Sequence, residues 1–216
     1  MRPKPTLKEE KKLWKNGYRY VVGIDEVGRG AFAGPVVAAA VVFSRNFRPP
    51  DDINDSKLVK PRRREFLAQV IKKEARCFSI AEIATVKINK YGIGKATQMC
   101  FRKAVRLLPI KPDYVLIDAF YRNASSAYIK HMNRKNQKPI KKGDQKSISI
   151  AAASIIAKVY RDSLMKRLHK KYPQYRLAKN KGYGTKEHRE AIKKYGLSRI
   201  HRKSFNLEGK QAESST

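Results

Sequence analysis

The sequence predicts an α/β protein in which helices flank a mixed β-sheet. Two apolar runs, at 18–25 and 35–43, are joined by a glycine-rich turn, which is typical of a hairpin of buried strands. A later apolar run at 113–117 ends, like the first, on a carboxylate. Segments with apolar residues at helical spacing lie between and after these runs, which favours a sheet covered by helices.

The composition points to a polyanionic partner. The 216 residues include 50 Lys and Arg against 18 Asp and Glu, a net charge of +32. Nucleic acid is the partner we expect, with an anionic membrane a distant second. The two cysteines, Cys77 and Cys100, are too few for a disulfide scaffold or a structural zinc site, and no run of about 18 apolar residues occurs. We therefore expect a cytoplasmic protein with reduced thiols and no membrane segment.

The N-terminal half reads as a helix followed by strands and helices in alternation. The long polar connection at 44–60 is of a length that is usually functional in a compact domain. Pro61 suits the first turn of a helix. The predicted elements are a short helix within 1–17, strands at 18–25 and 35–43, a helix at 61–75, a strand at 77–85 and a helix at 89–108.

The C-terminal half is less regular. After the strand at 113–117, residues 121–142 are basic and poorly patterned, and no fifth strand can be placed there from the residues alone. Long and short helices are predicted at 147–170 and 186–195. Residues 208–216 have the composition of a disordered tail.

Four acidic residues stand at the ends of predicted elements: Asp25, Glu26, Asp118 and Asp144. The order of the predicted elements suggests a mixed sheet in which the first and fourth strands are adjacent, so that these carboxylates converge. An unpaired buried carboxylate costs several kcal/mol, so the cluster requires a cation: Arg29, a lysine or a metal. Successive strand residues point to opposite faces, so Asp25 and Glu26 share a site only where the strand ends or bulges.

Carboxylate oxygens are the ligands that Mg²⁺ and Mn²⁺ prefer, and two such ions suit the hydrolysis of a phosphodiester. Two other readings compete. Asp25 and Glu26 could form a surface ion pair with Arg29, and the glycines at 28, 30 and 34 approximate a dinucleotide-binding fingerprint. The fingerprint requires a helix after the glycines, whereas Pro35 and a valine-rich run follow here.

Seven motifs in order carry a family resemblance. They are GIDEVGRG (23–30) with AGP (33–35), NDSK (54–57), DYVLID (113–118), KGD (142–144) with SIAAASI (149–155), KVYRD (158–162), GYGT (182–185) and HRKSF (201–205). On these residues the chain resembles ribonuclease HII, a type 2 ribonuclease H, from about residue 18 to 205.

The resemblance implies a ribonuclease H-like fold, with a five-stranded mixed sheet and a C-terminal helical extension. The implied divisions are an N-terminal helical segment at 1–17, a catalytic core at 18–170, a substrate-binding extension at 171–207 and the tail at 208–216. The implied activity is hydrolysis of the RNA strand of RNA/DNA hybrids and cleavage 5′ to single ribonucleotides in duplex DNA. Two Mg²⁺ or Mn²⁺ ions, held by the four acidic residues named above, would support it in a monomer.

The resemblance also implies roles for substrate-binding residues. Gly28, Arg29 and Gly30 would read the ribose 2′-OH, Tyr183 would stack on the adjoining deoxyribose, and Lys57 would contact a phosphate. The chain has Ala31-Phe32 where the family commonly has Pro-Leu. It also has Gly184 where the family usually has proline, and Gly184 is expected to leave Tyr183 less rigidly held.

Two alternatives and two lesser assignments complete the expectations. Ribonuclease HIII carries Gly-Thr-Gly at the position of 28–30 and an added N-terminal domain, whereas only residues 1–17 precede the first strand here. A non-catalytic binder gains nothing from carboxylates placed against phosphates. Asp162 is expected to pair with Arg161 or Lys166, and the four histidines are expected to be packing or surface residues.

Overall fold

The computed structural model describes residues 4–50, 52–119 and 128–205, and its centre is a five-stranded mixed sheet. The strands are β1 (Val21–Val27), β2 (Val36–Val42), β3 (Cys77–Ile83), β4 (Tyr114–Asp118) and β5 (Gln137–Ile140), in the order β3-β2-β1-β4-β5. The β1–β2 and β2–β3 pairs are antiparallel, and the β1–β4 and β4–β5 pairs are parallel. The predicted hairpin and the predicted contact between the first and fourth strands are both confirmed.

Helices cover both faces of the sheet. They are α1 (Lys8–Lys15), α2 (Pro61–Glu74), α3 (Thr85–Arg106), α4 (Ile148–Lys171), α5 (Leu177–Asn180) and α6 (Lys186–Tyr195). One face carries the alternate apolar residues of β1 and β2 and packs against α1, α2 and α4. The opposite face packs against α3. The three-layer arrangement leaves β1 and β4 buried at the centre, as near-continuous apolar strands require.

The long helix α4 lies directly against β1 because Gly23 has no side chain. A Cβ at residue 23 would collide with the backbone of Ser149 and Ile150, in the first turn of α4. Ser147 caps this helix, since its side chain accepts a hydrogen bond from the Ile150 N–H. The start of α4 is thus fixed beside the strand that carries Asp25.

The structure corrects three sequence-based boundaries. β5 lies within the segment 121–142 that offered no strand; its only aliphatic side chain is Ile140, and it includes Pro139, which an edge strand tolerates. Helix α3 begins at Thr85 instead of residue 89 and is broken at Gly92, where φ is 78°. β1 continues past Asp25 to Val27.

The C-terminal segments form a third apolar cluster against the loop that follows β1. Its buried members are Ala33, Met165, Tyr175 and Leu177. Within the described ranges, no helix is long and apolar enough to cross a membrane. The predicted tail at 208–216 and the basic residues 121–127 lie outside the described residues.

Candidate active site

Asp25, Asp118 and Asp144 form an acidic edge at the end of the sheet where the pairing of the two central strands, β1 and β4, stops. The last residue pair between β1 and β4 is Ile24 with Ile117, so Asp25 and Asp118 each follow that pair directly. Oδ1 of Asp118 accepts a hydrogen bond of 2.7 Å from the Gly143 N–H. This bond draws in the 3-10 turn Gly143–Gln145, which contains Asp144.

The carboxylates raise one another's pKa. Burial, followed by the charges of Asp118 and Glu26, raises the pKa of Asp25 well above its ordinary value. Burial also raises the pKa of Glu26 to about 7, although the charge of Arg29 opposes the shift. Burial and the charges of Asp118 and Asp55 raise the pKa of Asp144 to about 7. Burial is the largest cause of each shift and repulsion between the carboxylates adds to it, so a bound cation would favour their ionised forms.

Lys57 supplies part of the missing positive charge. Partial burial lowers its pKa, but the charges of Asp55, Asp144 and Asp25 outweigh that effect, so the net shift is upward. Lys57 lies in the loop before α2, and its backbone N–H donates to Asp55 Oδ1 at 3.0 Å. The functional assignment of the 44–60 connection is therefore supported by its position beside the acidic edge.

Glu26 occupies a different position from the three aspartates. β1 pairs regularly with β2 through Asp25–Ala39 and Glu26–Ala38, so the strand end or bulge expected between Asp25 and Glu26 is not there. By strand alternation Glu26 faces the α3 side of the sheet, where Arg29 Nη1 lies 3.8 Å from its Oε1. The ion pair with Arg29 weighed from the sequence is therefore present for Glu26.

The four carboxylates are electrostatically connected without forming a finished metal site. The charge of Asp118 raises the pKa of both Asp25 and Glu26. In the described part of the chain, no three Asp, Glu, His or Cys side chains are arranged as they would be around a metal ion.

The turn after β1 is held from behind by two buried arginines. A Cβ on Gly28, whose φ is +86°, would collide with the Arg161 guanidinium, whereas a Cβ on Gly30 would meet open space. Arg161 donates to the carbonyls of Pro35 at 3.1 Å, Ala33 at 3.1 Å and Lys181 at 2.9 Å.

Arg202 makes the equivalent contacts from the C-terminal end. It donates to Gly34 O at 3.0 and 2.9 Å and to Arg29 O at 2.7 Å. Burial, reinforced by the charge of Arg161, lowers the pKa of Arg202 to about 9. Over the described residues, neither Arg161 nor Arg202 forms an ion pair with a carboxylate. Both guanidinium groups instead donate hydrogen bonds to backbone carbonyls.

Tyr183 lies against the guanidinium of Arg161. Its ring centroid is 5.4 Å from Cζ of Arg161 and 5.9 Å from Nζ of Lys158. Its carbonyl oxygen lies 2.9 Å from Nδ1 of His188. Tyr183 and Gly28 therefore share one neighbour, Arg161, which connects the two segments expected to contact substrate.

The histidines and Phe32 support the Tyr183 segment. His188 and His201 are fully buried, with their Nε2 atoms 3.2 Å apart. Burial lowers the pKa of both, to about 4 for His201, which confirms the packing role predicted for this pair. A Cβ on Gly184 would collide with the Phe32 ring. The larger Phe32 thus fills the space beside the smaller Gly184, so Tyr183 is held despite the absence of proline.

Several residues at the site were not assigned from the sequence. Asp55 and Ser56 belong to the NDSK motif, in which only Lys57 had received a role. Ser154 gives Asp25 a hydrogen bond that lowers its pKa, and its Oγ lies 2.9 Å from Ser56 Oγ. Asp162 is ion-paired with Lys158 at 2.8 Å and Arg64 at 3.5 Å, in place of the partners suggested from sequence.

The chain combines clustered carboxylates that can bind cations with a net charge of +32, on a mixed α/β sheet. This combination is typical of metal-dependent nucleases. Comparison with known proteins gives the family. The family model described as ribonuclease HII matches residues 22–208. Ribonuclease HII of Caldanaerobacter subterraneus subsp. tengcongensis is 50% identical over 196 residues, which are 91% of this chain and 78% of that protein.

A second relative and a solved structure agree. Ribonuclease HII of Syntrophus aciditrophicus is 43% identical over 205 residues, covering 95% of this chain and 92% of the relative. The crystal structure of ribonuclease H2 from Pyrococcus horikoshii superposes with a TM-score of 0.72 at 25% identity, covering 87% of this chain and 94% of that one. The chain belongs to the ribonuclease HII family, and it is an endoribonuclease that acts on RNA/DNA hybrids.

Proposed function

We propose that this enzyme, besides hydrolysing the RNA strand of hybrids, cuts 5′ to a single ribonucleotide embedded in duplex DNA. The cut would leave a 3′-hydroxyl and a 5′-phosphate, as ribonucleotide excision repair and primer removal require. The observation that carries the proposal is the position of Arg161. Its guanidinium fills the space beside Gly28 and also lies against the Tyr183 ring, so it connects the two segments.

Asp25, Asp118 and Asp144 would hold Mg²⁺ or Mn²⁺ from one face of the sheet and Glu26, whose pKa the charge of Asp118 raises, from the other, with two ions in the catalytic complex. The donor set fits, because it consists of carboxylate oxygens, and burial together with repulsion among them raises their pKa values, which a bound cation would lower. When bound, the ions would stabilise negative charge on the reacting phosphate.

The chain orients its own carboxylates. The Gly143 N–H holds Asp118 Oδ1, and the Glu26 N–H donates to Asp25 Oδ1 at 2.7 Å. These hydrogen bonds fix the orientation of both carboxylates before a cation binds. Lys57 would contact a substrate phosphate, because its ammonium already lies among the acidic residues at the position where an anion must approach.

Gly28, Arg29 and Gly30 would recognise the 2′-OH. The two arginines occupy the carbonyls of Arg29, Ala33, Gly34 and Pro35, which fixes the turn before substrate arrives. A fixed site that expects a hydroxyl discriminates strongly against deoxyribose, since its polar groups would be left unpaired.

Tyr183 would stack on the deoxyribose that follows the ribonucleotide. Its ring is supported by Arg161 and Lys158 and lies partly open to solvent. A flat apolar surface accepts a sugar without a 2′-hydroxyl and disfavours one that carries it. The preferred substrate would then be an RNA–DNA junction.

We further propose that the enzyme works as a monomer in the cytoplasm. The two cysteines are free, and unpaired thiols are typical of proteins in a reducing compartment.

One assay tests the proposed activity. A DNA duplex with a single ribonucleotide, labelled at the 5′ end, is incubated with the enzyme in Mg²⁺ and, separately, in EDTA. We expect one product that ends in a 3′-hydroxyl immediately 5′ to the ribonucleotide, and no product in EDTA. Cleavage of long hybrids with the embedded ribonucleotide left intact would refute the junction specificity.

A further inference from the structure

The N-terminal helix α1 places a buried carboxylate at the start of α4. Glu10 is 1% exposed, although it belongs to a short helix that is otherwise lysine-rich. Its Oε1 accepts three hydrogen bonds: from Ser147 Oγ at 2.6 Å, from the Ser149 N–H at 2.9 Å and from Ser149 Oγ at 2.7 Å. Glu10 lies outside residues 22–208, which the family model matches.

Burial of such a group requires a reason. An ionised carboxylate out of water is costly unless several donors compensate it. Here two hydroxyls, one backbone N–H and the N-terminus of a 24-residue helix provide that compensation. The other oxygen, Oε2, is buried without a hydrogen-bond partner, so all of the directional bonding goes to α4.

The residues that Glu10 holds are next to the acidic edge. Ser147 is tied through its own N–H to Gly143 O at 2.8 Å, across the 3-10 turn that contains Asp144. The Gly143 N–H in turn holds Asp118. Ser149 is pressed against Gly23 of β1, where any side chain on residue 23 would collide with it.

The backbone next to Glu10 reinforces this attachment. The Thr6 N–H donates to Lys146 O at 3.1 Å, and the Ile148 N–H donates to Thr6 O at 3.2 Å. The segment before α1 therefore forms a parallel bridge at Ser147, between Asp144 and α4. The two contacts of the N-terminal segment, by backbone and by carboxylate, meet at the same point.

We propose that Glu10 is a positioning residue, which sets the 3-10 turn of Asp144 against Asp118 by holding the first turn of α4. The inference rests on the proposed role of Asp144 and Asp118 in binding metal. Residues that orient metal ligands from behind change metal affinity or activity by about 10- to 100-fold when altered. Glu10 acts through Ser147 and Ser149 and does not itself contact substrate.

The test compares Glu10→Ala and Glu10→Gln with Leu13→Ala. Leu13 is buried on the same helix and makes no hydrogen bond to α4 through its side chain, so its truncation reports destabilisation of α1 alone. Glu10→Gln keeps the shape and one acceptor oxygen, which guards against a variant that does not fold. Thermal unfolding of each variant, with all other measurements made well below the transitions, controls for loss of structure.

Two experiments are made on each variant. Calorimetry without substrate gives the Mn²⁺ affinity, and steady-state kinetics on a long RNA/DNA hybrid gives kcat and KM. We expect Glu10→Ala to weaken Mn²⁺ binding and to lower kcat by about 10-fold or more, with KM nearly unchanged and with Glu10→Gln in between. Leu13→Ala should lower the unfolding temperature and leave the Mn²⁺ affinity and kcat at the wild-type level.

Unchanged Mn²⁺ affinity and kcat in both Glu10 variants would overturn the proposal, as would an equal loss in Leu13→Ala. A wild-type protein that neither binds Mn²⁺ nor cleaves the hybrid would instead contradict the proposed function, and the inference would fall with it.

Discussion

The acidic edge and the turn beside it are electrostatic opposites. At the edge, Asp25, Asp118 and Asp144 have raised pKa values, and Lys57 is the cation that lies among them. Beneath the turn, Arg161 and Arg202 are fully buried and are bonded to carbonyls instead of carboxylates. One region has excess negative charge and the other has excess positive charge.

The difference shows which part is preorganised. The carbonyls of Arg29, Ala33, Gly34 and Pro35 are already bonded to Arg161 and Arg202, so the shape of the turn is set before substrate arrives. The carboxylates are not arranged around a metal position in the described residues, and their raised pKa values call for cations. Under the proposed roles of these residues, recognition of the sugar is built into the fold, whereas the acidic centre is completed by the cations that bind to it.

Removing a carboxylate should have the largest effect. Asp118→Asn should lower cleavage by more than about 100-fold, because the site would lose a proposed metal ligand, while affinity for the hybrid stays equal or rises as repulsion of phosphates falls. The control is Asp113→Asn, just before the same strand, where the carboxylate accepts hydrogen bonds from the Arg19 and Tyr20 N–H groups. Wild-type cleavage by Asp118→Asn at saturating Mg²⁺ would contradict the assignment.

Loss of the aromatic ring should affect one substrate more than the other. Stacking on an aromatic side chain contributes about 1–3 kcal/mol, so Tyr183→Ala should slow cleavage at a single ribonucleotide by about 10- to 100-fold. A long hybrid, which has a ribose at the next position, should be affected much less. Equal losses on the two substrates in a gel assay would rule out reading of the junction by Tyr183.

The two glycines of the turn provide a matched pair. Gly28→Ala should destabilise the protein by about 1–3 kcal/mol. The backbone of residue 28 is in the left-handed region, and an alanine Cβ there would collide with Arg161. Gly30→Ala has open space and no positive φ, so its unfolding free energy should change by less than about 1 kcal/mol. Denaturant unfolding of both variants tests this; equal values would mean that Arg161 does not fix the turn.

Stability should also depend on pH. The pKa of Asp144 is about 7 in the folded protein and near its ordinary value when unfolded, so its stabilising protonation is complete below pH of about 4 and is lost as pH rises through 7. In EDTA, wild type should therefore lose stability relative to Asp144→Asn between these values. A stability difference that is independent of pH would contradict the raised pKa.

The sequence predicted those parts that depend on local patterns. Buried strands and acidic strand ends follow from apolar runs, so the convergence of Asp25 and Asp118 could be inferred from the residues alone. The roles of Arg161 and Arg202 could not be predicted, because an arginine that bonds distant carbonyls leaves no periodic signal. The opposite orientation of Glu26 required the β1–β2 register.

The most direct measurement is an NMR titration of the labelled side-chain carboxyl carbons, first in EDTA and then in Mg²⁺. The account predicts that Glu26 and Asp144 titrate near pH 7 without metal, because burial and neighbouring carboxylates disfavour their ionised forms. In Mg²⁺ both midpoints should fall by more than about one pH unit, in proportion to metal binding. Midpoints near 4 in EDTA, or midpoints that Mg²⁺ leaves unchanged, would contradict a metal-completed acidic centre.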